Sequence, residues 1–327
     1  MKGLKKLSEN REIVLVGLIL FFMIMMTVFM PRFIKPSNLA NILKDSSILV
    51  MVACGQFLVI LTAGIDLSVG SIIALAGMSA SLINMNNPEI SPWICLLVGM
   101  LIGMGLGMIN GVLVAFGKVP AIIATLGTMS VYRGFTFVVS KGQWVTAHEM
   151  TESFMNLPHG HFLGIPNLIW FALIVSALFY YFMRYTRTGR EIYAIGGNRS
   201  AAVLVGVSER KVEFLIFAIS GAVSGLGGVL WAARYAAAVN EMGTGFELQT
   251  VAACVLGGVS VAGGSGTVPG VILGALFMGV LNSSMTMIRN MAFFQMLFQG
   301  IIVIAAMTFN VVMERRRDAV LLNRRLA

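Results

Sequence analysis

Long apolar runs, interrupted by short polar segments, occupy most of the 327-residue chain. A helix needs about 20 apolar residues to cross the hydrocarbon core of a bilayer. Continuous runs of this length predict membrane helices, because barrel strands show short alternating segments instead. The pattern predicts ten spans, with the third and eighth short and interrupted by glycine. They cover residues 13–30, 47–63, 67–83, 93–116, 120–139, 166–183, 212–232, 248–262, 268–286 and 294–312.

Composition strengthens this prediction. Hydrophobic residues make up 57% of the chain, charged residues only 11%, and the mean hydropathy is +0.88. A soluble domain carries about 25% charged residues because its surface faces water. We therefore expect an all-α polytopic membrane protein with a single transmembrane domain over residues 1–327. Cys54, Cys95 and Cys254 lie inside apolar runs, so we expect buried free thiols.

The distribution of basic residues predicts the orientation of the spans. Segments on the cytoplasmic side collect Lys and Arg, and ten crossings with both termini cytoplasmic place most of the 23 basic residues inside. Eight crossings are the alternative if the two short segments are re-entrant. The first apolar run follows a basic stretch, as in a secretion signal, but it is too long and ends at Pro31-Arg32, so we expect an uncleaved helix. The net charge of +9 thus reports topology, and no nucleic acid partner is expected.

Two connections are long enough to carry function. The predicted outer loop, at about 140–165, contains His148, His159 and His161, and we expect a solvated loop there rather than a metal site. The predicted inner loop, at about 184–211, contains six basic residues. These residues alone would be explained by a linker whose positive charge holds it on the cytoplasmic side. Its glycines, asparagine and small apolar residues favour a docking surface. The residues expected to form that surface are Gly189, Arg190, Glu191, Tyr193, Gly196, Gly197, Asn198, Ala201, Ala202 and Gly206.

Glycine patterns predict close helix packing in the membrane. In the fourth span Gly99, Gly103, Gly107 and Gly111 recur every four residues, which forms a smooth groove on one face of a helix. Two weaker pairs are Gly221 with Gly225 and Gly270 with Gly274.

Two glycine-rich breaks interrupt the apolar pattern, at residues 63–71 and 257–267. The first contains Asp66, which either caps the third span, with Ser68 and Ser71 in its first turn, or lines a pathway. Irregular backbone at membrane depth is tolerated only inside protein or beside a water-filled cavity. Short segments interrupted at corresponding places in two halves indicate an internal repeat around a midplane pathway.

Hydroxyl side chains in the fifth span complete the candidate pathway. Thr125 and Thr128 belong to a polar stripe that either packs against neighbouring backbone or faces a solute. Hydroxyls with few intramembrane carboxylates suit a neutral polyhydroxylated solute better than an ion-coupled mechanism. The chain has no P-loop, H-E-x-x-H or G-x-S-x-G motif, so we expect neither a catalytic site nor a bound metal or cofactor.

Five blocks, in order, resemble the permease subunits of bacterial ABC importers for ribose and related sugars. They are ILTAGIDLSVGS at 60–71, PAIIATLGT at 120–128 with Arg133-Gly134, GREIYAIGGN at 189–198, GTGFEL at 243–248, and VLGGVSVAGGSG at 255–266. The blocks are spread over almost the whole chain.

The resemblance implies a subunit in the bacterial inner membrane that moves a monosaccharide-like solute by alternating access. It implies a second permease copy or a sister permease, a cytoplasmic ATPase subunit that binds ATP and Mg²⁺, and a periplasmic sugar-binding protein. The inner loop would contact the ATPase, while Asp66, Ser68, Ser71, Thr125 and Thr128 would lie near the pathway. An ion-coupled secondary carrier is the alternative, and a structural or signalling membrane protein is a remoter one.

Overall fold

The structure, a computed structural model, describes residues 11–288 and, beyond them, residues 294, 295, 297, 300, 301, 304, 305 and 308. Helices dominate the described part, and all four strands are two residues long. The helices are α1 (Arg11–Phe29), α2 (Pro36–Leu61), α3 (Val69–Asn86), α4 (Pro92–Gly111, extended by a π-helical turn at Val112–Phe116), α5 (Ala121–Ser140), α6 (Glu152–His159), α7 (Asn167–Tyr185), α8 (Arg187–Gly197), α9 (Arg199–Leu204), α10 (Glu209–Tyr235), α11 (Phe246–Leu256) and α12 (Val268–Met287). The strands β1 (Val145–Thr146) and β4 (Ala237–Ala238) pair antiparallel, as do β2 (His161–Phe162) and β3 (Ile165–Pro166).

Among the described residues, eight helices are long and apolar enough to cross a membrane: α1, α2, α3, α4 with its extension, α5, α7, α10 and α12. This confirms an all-α polytopic membrane protein. The predicted eighth span corresponds to α11, whose 11 residues rise about 16 Å and cannot cross alone. The predicted tenth span, 294–312, falls mostly outside the described residues. The number of crossings and the side of the termini stay predictions.

Helix α2 begins at Pro36, well before the predicted start at residue 47. The polar run around Lys44 and Asp45 hides this first part of the helix from the hydropathy pattern. The structure accounts for its polarity, because Asp45 Oδ1 accepts hydrogen bonds from Arg234 Nε at 2.8 Å and Nη2 at 2.6 Å. A hydropathy pattern is local, so it cannot predict that a polar side chain is paired with a residue of a helix distant in sequence.

The predicted glycine groove is confirmed at the contact between α4 and α10. A Cβ atom on Gly103 would collide with the Gly221 carbonyl oxygen and lie 2.7 Å from the Gly225 Cα atom. A Cβ on Gly107 would collide with the Phe217 carbonyl oxygen. The two backbones therefore approach closely, and van der Waals packing holds the helices together.

The connection between α5 and α7 is folded rather than an open loop. The Asn84 side chain at the end of α3 holds it, since its Oδ1 accepts the Thr151 backbone N–H at 2.9 Å. His159 Nε2 lies 3.0 Å from the Arg234 carbonyl oxygen. Within the part of the chain that the structure describes, no group of three His, Cys, Asp or Glu side chains could hold a metal ion.

Several polar segments share one end of the helix bundle, which we call the docking end because the 184–211 segment lies there. Thr267, before α12, donates a hydrogen bond to Glu12 of α1 at 2.8 Å. Lys118, between α4 and α5, pairs with Glu209 at 3.2 Å. The start of α1 and the 184–211 segment thus lie on the same side, as the predicted orientation requires.

Candidate functional site

Asp66 lies in the first break, fully buried at the centre of a hydrogen-bond network. Its Oδ1 atom accepts the Ser68 backbone N–H at 2.9 Å and the Ser68 hydroxyl at 2.6 Å. Its Oδ2 atom accepts the Ser220 hydroxyl of α10 at 3.4 Å. A buried carboxylate is tolerated at membrane depth only when donors surround it in this way.

Polar side chains from three spans extend this network. Asn110 of α4 donates to the Ser68 hydroxyl oxygen at 2.7 Å, and the Tyr132 hydroxyl of α5 lies 3.1 Å from Asn110 Oδ1. In the amide orientation that satisfies both partners, Gln56 of α2 pairs with the backbone N–H and carbonyl of Asp66, each at 3.1 Å. We call Gln56, Asp66, Ser68, Asn110 and Ser220 the Asp66 cluster.

The structure brings the predicted pathway residues together but buries them. The Thr125 hydroxyl oxygen accepts the Leu67 N–H at 3.1 Å, and the Ser71 hydroxyl donates to the Ser68 carbonyl at 2.8 Å. Thr128 lies one turn further along α5 and donates to the Thr125 carbonyl at 3.3 Å. These hydroxyls therefore bond to neighbouring backbone, the packing alternative of the sequence analysis.

The capping hypothesis for Asp66 is wrong in position. Ser68 occupies the N-cap of α3, and Asp66 stands two residues earlier, where it accepts the Ser68 N–H. The sequence analysis also missed Gln56, Asn110 and Ser220. Their only sequence signal is that each is a polar residue inside an apolar run, and the helix packing decides which of them meet.

Asp66→Asn is expected to preserve the fold. The asparagine oxygen can still accept both Ser68 donors, and its amide can donate to the Ser220 hydroxyl. Thermal unfolding in detergent should shift little, whereas Asp66→Leu, which leaves those donors unpaired, should destabilise the protein by about 1–3 kcal/mol. Equal unfolding midpoints for the two variants would show that the network is energetically unimportant. Transport by Asp66→Asn then reports on the negative charge alone.

The docking end joins both breaks to helix α8. The Gly264 N–H of the second break donates at 2.9 Å to the carbonyl of Leu61, the last residue of α2 before the first break. Gly196 packs against both, since a Cβ atom there would collide with the Leu61 carbonyl oxygen and lie 2.5 Å from the Gly264 nitrogen. The Tyr193 hydroxyl donates to the Gly266 carbonyl at 2.8 Å, and burial raises its pKa.

The predicted docking residues divide between two faces of the 187–206 segment. Gly189 and Ala202 are buried, Glu191, Tyr193 and Gly196 are half-buried, and Glu191 pairs with Arg187 at 2.7 Å. The exposed face carries Arg190, Gly197, Asn198, Ala201 and Gly206.

Beside this face stand two side chains that the sequence analysis did not select. Leu204 is 88% exposed and Val205 is 80% exposed. Exposed apolar side chains at the end of a bundle indicate a protein contact. Their sequence signal is a run of five apolar residues, 201–205, in a connection with six basic residues. We call the exposed face with Leu204 and Val205 the docking patch.

Arg199, at the start of α9, links the docking patch to the first break. Its guanidinium bonds Glu209 at 3.0 Å and Glu213 at 2.9 Å, both on α10. It also donates to the carbonyl of Thr62, the C-cap of α2 immediately before the first break, at 3.4 Å. The three partners line a cavity of about 290 Å³ at the docking end, together with Gly64 and Lys118.

Comparison with known proteins identifies the family. A family model described as "Branched-chain amino acid transport system / permease component" matches residues 38–307. The chain belongs to this permease family. The ribose import permease protein of Haemophilus influenzae is 40% identical over 84% of this chain and 85% of its own length. The ribose import permease protein of Bacillus subtilis is 36% identical over 90% of this chain and 90% of its own length. An L-arabinose ABC transporter permease of Azospirillum brasilense is 34% identical over 97% of this chain and 92% of its own length.

These matches confirm the resemblance seen in the five blocks. The permease is a multi-pass protein of the bacterial inner membrane and a transport component of an ABC importer, not itself a catalyst. The relatives do not support the ion-coupled carrier alternative. No solved structure matches the chain.

Proposed function

We propose that this permease moves a neutral monosaccharide-like solute across the inner membrane, driven by an ATPase subunit that binds the docking patch. One observation carries the proposal: the segment with the exposed docking patch packs, on its other face, against the second break and against the end of α2, which leads directly into the first break. A partner that moves this segment therefore moves the backbone of both breaks. Alternating access needs such a link between the energy source and the membrane interior.

The remaining partners follow from the family. ATP and Mg²⁺ bind the ATPase subunit, and the chain itself binds no cofactor. A second permease copy or a sister permease completes one pathway. A periplasmic sugar-binding protein docks on the folded surface at residues 140–166, at the opposite end from the docking patch. Ten crossings with both termini cytoplasmic remain our proposal for the topology, with residues 1–327 as one transmembrane domain in contact with lipid.

The nature of the solute is inferred from relatives and from the polar groups in the spans. Relatives are named for ribose, L-arabinose and autoinducer 2. The Asp66 cluster, with Ser71, Thr125 and Thr128, is buried and paired in this structure. We propose that it lies beside the pathway, where hydroxyl and amide groups suit a polyhydroxylated solute better than an ion. D-Ribose and L-arabinose are therefore the first solutes to test.

An internal repeat around the two breaks is supported by their contact. The Val52-Ala53-Cys54 and Ala252-Ala253-Cys254 segments, which are similar in sequence, lie side by side, and Cys254 Sγ donates to the Ala53 carbonyl at 3.4 Å. Interrupted segments that meet in this way are typical of transporters built from repeats. Helix α8 contacts the second break and the end of α2 next to the first break, so one movement of the docking segment reaches both halves.

Leu204→Arg is expected to abolish co-purification of the ATPase subunit, because a charge at the centre of an apolar contact must be desolvated without a partner. Ala201→Trp and Gly197→Trp should act similarly, since both positions are exposed. Leu163→Arg is the matched control, an apolar residue 78% exposed between β2 and β3. Membrane insertion should be unchanged in all four variants.

The same membranes test the function. ATP-driven uptake of radiolabelled D-ribose or L-arabinose should be lost with Leu204→Arg and present in the unsubstituted permease when the cognate binding protein is supplied. Retained ATPase association in Leu204→Arg, Ala201→Trp and Gly197→Trp would refute the docking patch. Uptake that persists without the ATPase but stops when the ion gradient is collapsed would refute the importer.

A further inference from the structure

Arg133 places a guanidinium group well inside the membrane. It stands 12 residues into α5, or about 18 Å from the docking end of that helix. Its Nη1 atom donates to the carbonyl oxygens of Asn240 at 2.9 Å and Met242 at 2.8 Å. Among the described residues, its Nε and Nη2 atoms have no hydrogen-bond acceptor, and the side chain is only partly buried. One edge of the guanidinium is therefore available to another molecule.

The segment held by Arg133 enters the membrane without regular structure. After β4, residues 239–245 pass close to the first turn of α3 before α11 begins. A Cβ atom on Gly70 would collide there with the Gly243 carbonyl oxygen. Gly70 stands 16 residues, or about 24 Å, before the end of α3. Irregular backbone at that depth must face protein or water, not lipid.

Acidic and hydroxyl side chains lie near Arg133, on this segment and in the first turn of α11. Glu241 and Thr244 are exposed, and Glu247 is partly exposed. Glu247 Oε1 accepts the Gly245 N–H at 3.2 Å, and its Oε2 atom would lie 2.5 Å from a Cβ on Gly70, at the first turn of α3. Both carboxylates are close enough to Arg133 to interact with it electrostatically. We call Arg133, Glu241, Thr244 and Glu247 the outer polar patch.

Lipid cannot cover such a patch. A single charged side chain at the centre of a bilayer is costly, and charged groups inside membrane proteins face cavities or each other. The other exposed positions of α5 are mostly apolar, for example Ile123 and Val138, so the patch is a local exception on a lipid-compatible helix. It must therefore face either a dry contact with another protein or a water-filled space.

The chemistry of the patch favours a water-filled space occupied by the solute. The free edge of a guanidinium offers two parallel donors, which can bind adjacent hydroxyl oxygens, while carboxylates accept hydrogen bonds from hydroxyl groups. We propose that the outer polar patch lines the outward half of the translocation pathway and binds the hydroxyl groups of the passing solute. This inference rests on the proposed function, since it names the side chains that would contact the solute.

Thiol labelling tests the position of the patch without knowledge of the solute. In the assembled transporter, Thr244→Cys should react with a membrane-impermeant methanethiosulfonate about tenfold faster than Ile174→Cys, because a thiolate forms in water and not in hydrocarbon. Ile174 is an exposed apolar residue of α7, and the three native cysteines are buried, so their background should be low. If Thr244→Cys reacts as slowly as Ile174→Cys, both with and without nucleotide, the proposal is overturned and the patch is a dry contact with another protein.

Transport kinetics test the contact with the solute. Arg133→Lys keeps the positive charge but loses the paired donors, and Glu247→Gln keeps the shape but loses the charge. Each should raise the KM for D-ribose or L-arabinose uptake about tenfold, as expected for loss of a charge-assisted hydrogen bond. Association with the ATPase subunit should remain, because the docking patch is unchanged. An unchanged KM in both variants would overturn solute binding by the patch.

The two tests also separate the inference from the proposed function. If the native permease transports neither sugar but Thr244→Cys is still labelled, the assigned solute is wrong, whereas the position of the patch beside water is supported.

Discussion

Gly103→Leu is expected to prevent stable folding of the permease, whereas Gly105→Leu on the same helix should be tolerated. The Gly103 Cα atom faces the backbone of α10, where the Gly221 carbonyl and Gly225 Cα leave no room for a side chain. A Cβ atom on Gly105 would meet no neighbouring heavy atom of the described residues within 4 Å. Because backbone cannot move aside as a flexible side chain can, the leucine at position 103 must separate α4 from α10. Overpacking a core costs about 1–3 kcal/mol or more, and here it also removes contacts along two whole helices.

Size-exclusion profiles and thermal unfolding in detergent measure this difference. The unsubstituted chain and Gly105→Leu should give a monodisperse peak with similar unfolding midpoints, while Gly103→Leu should aggregate or unfold at a much lower temperature. Gly103→Ala should fall between them. Identical midpoints for both leucine variants would show that the α4–α10 contact is looser than the backbone distances indicate.

Arg199→Ala is expected to be the most destabilising change at the docking end. The Glu213 side chain is only 6% exposed, and Arg199 is its ion-pair partner at 2.9 Å. Removing one partner of a buried pair costs about 3–5 kcal/mol because the remaining charge stays buried. Arg199 is itself 48% exposed, so the lower end of that range applies. The same change removes the bond to the Thr62 carbonyl, so the first break should also loosen from α9.

Lys118→Ala is the matched control in the same cluster. The Lys118 side chain is 51% exposed, and an exposed pair of this kind contributes about 0–1 kcal/mol. The double variant Arg199→Ala with Glu213→Ala should recover most of the lost stability, because it removes the unpaired carboxylate as well. Chemical unfolding monitored in detergent tests all three variants. If the double variant is no more stable than Arg199→Ala, the loss comes from the Thr62 contact or from packing, and the buried charge is not its cause.

The hydropathy pattern alone locates most of the membrane helices. The limits of α5 and α12 agree with prediction to within about two residues, because long apolar runs and the Pro120 and Pro269 signals lie in the local sequence. The pattern misplaces the start of α2 for the opposite reason. The early part of this helix carries Lys44 and Asp45, which lower its hydropathy. Asp45 is stabilised by Arg234, which is 189 residues away in sequence, so the local pattern cannot show the pairing.

The candidate sites divide in the same way. Composition predicts a docking surface in the inner loop, yet its residues alternate between a buried and an exposed face, and only the packing shows that Gly196 contacts the breaks while Gly197 is exposed. Asp66 stands out in the sequence as a charge among apolar residues, but only the packing brings Ser220 of α10 and Gln56 of α2 to it and Asn110 of α4 to Ser68. The outer polar patch brings α5 together with residues 241–247, more than 100 positions along the chain.

The sequence by itself determined that this protein is a polytopic membrane protein and where most of its helices lie. Those properties depend on transfer of local segments from water to lipid, which each segment's composition decides. The tertiary structure alone decided which polar groups are paired, which glycines touch backbone, and which face of the docking segment is free. Inside a membrane a polar group is stable only beside a partner, and the partner is chosen by helix packing over long distances in sequence.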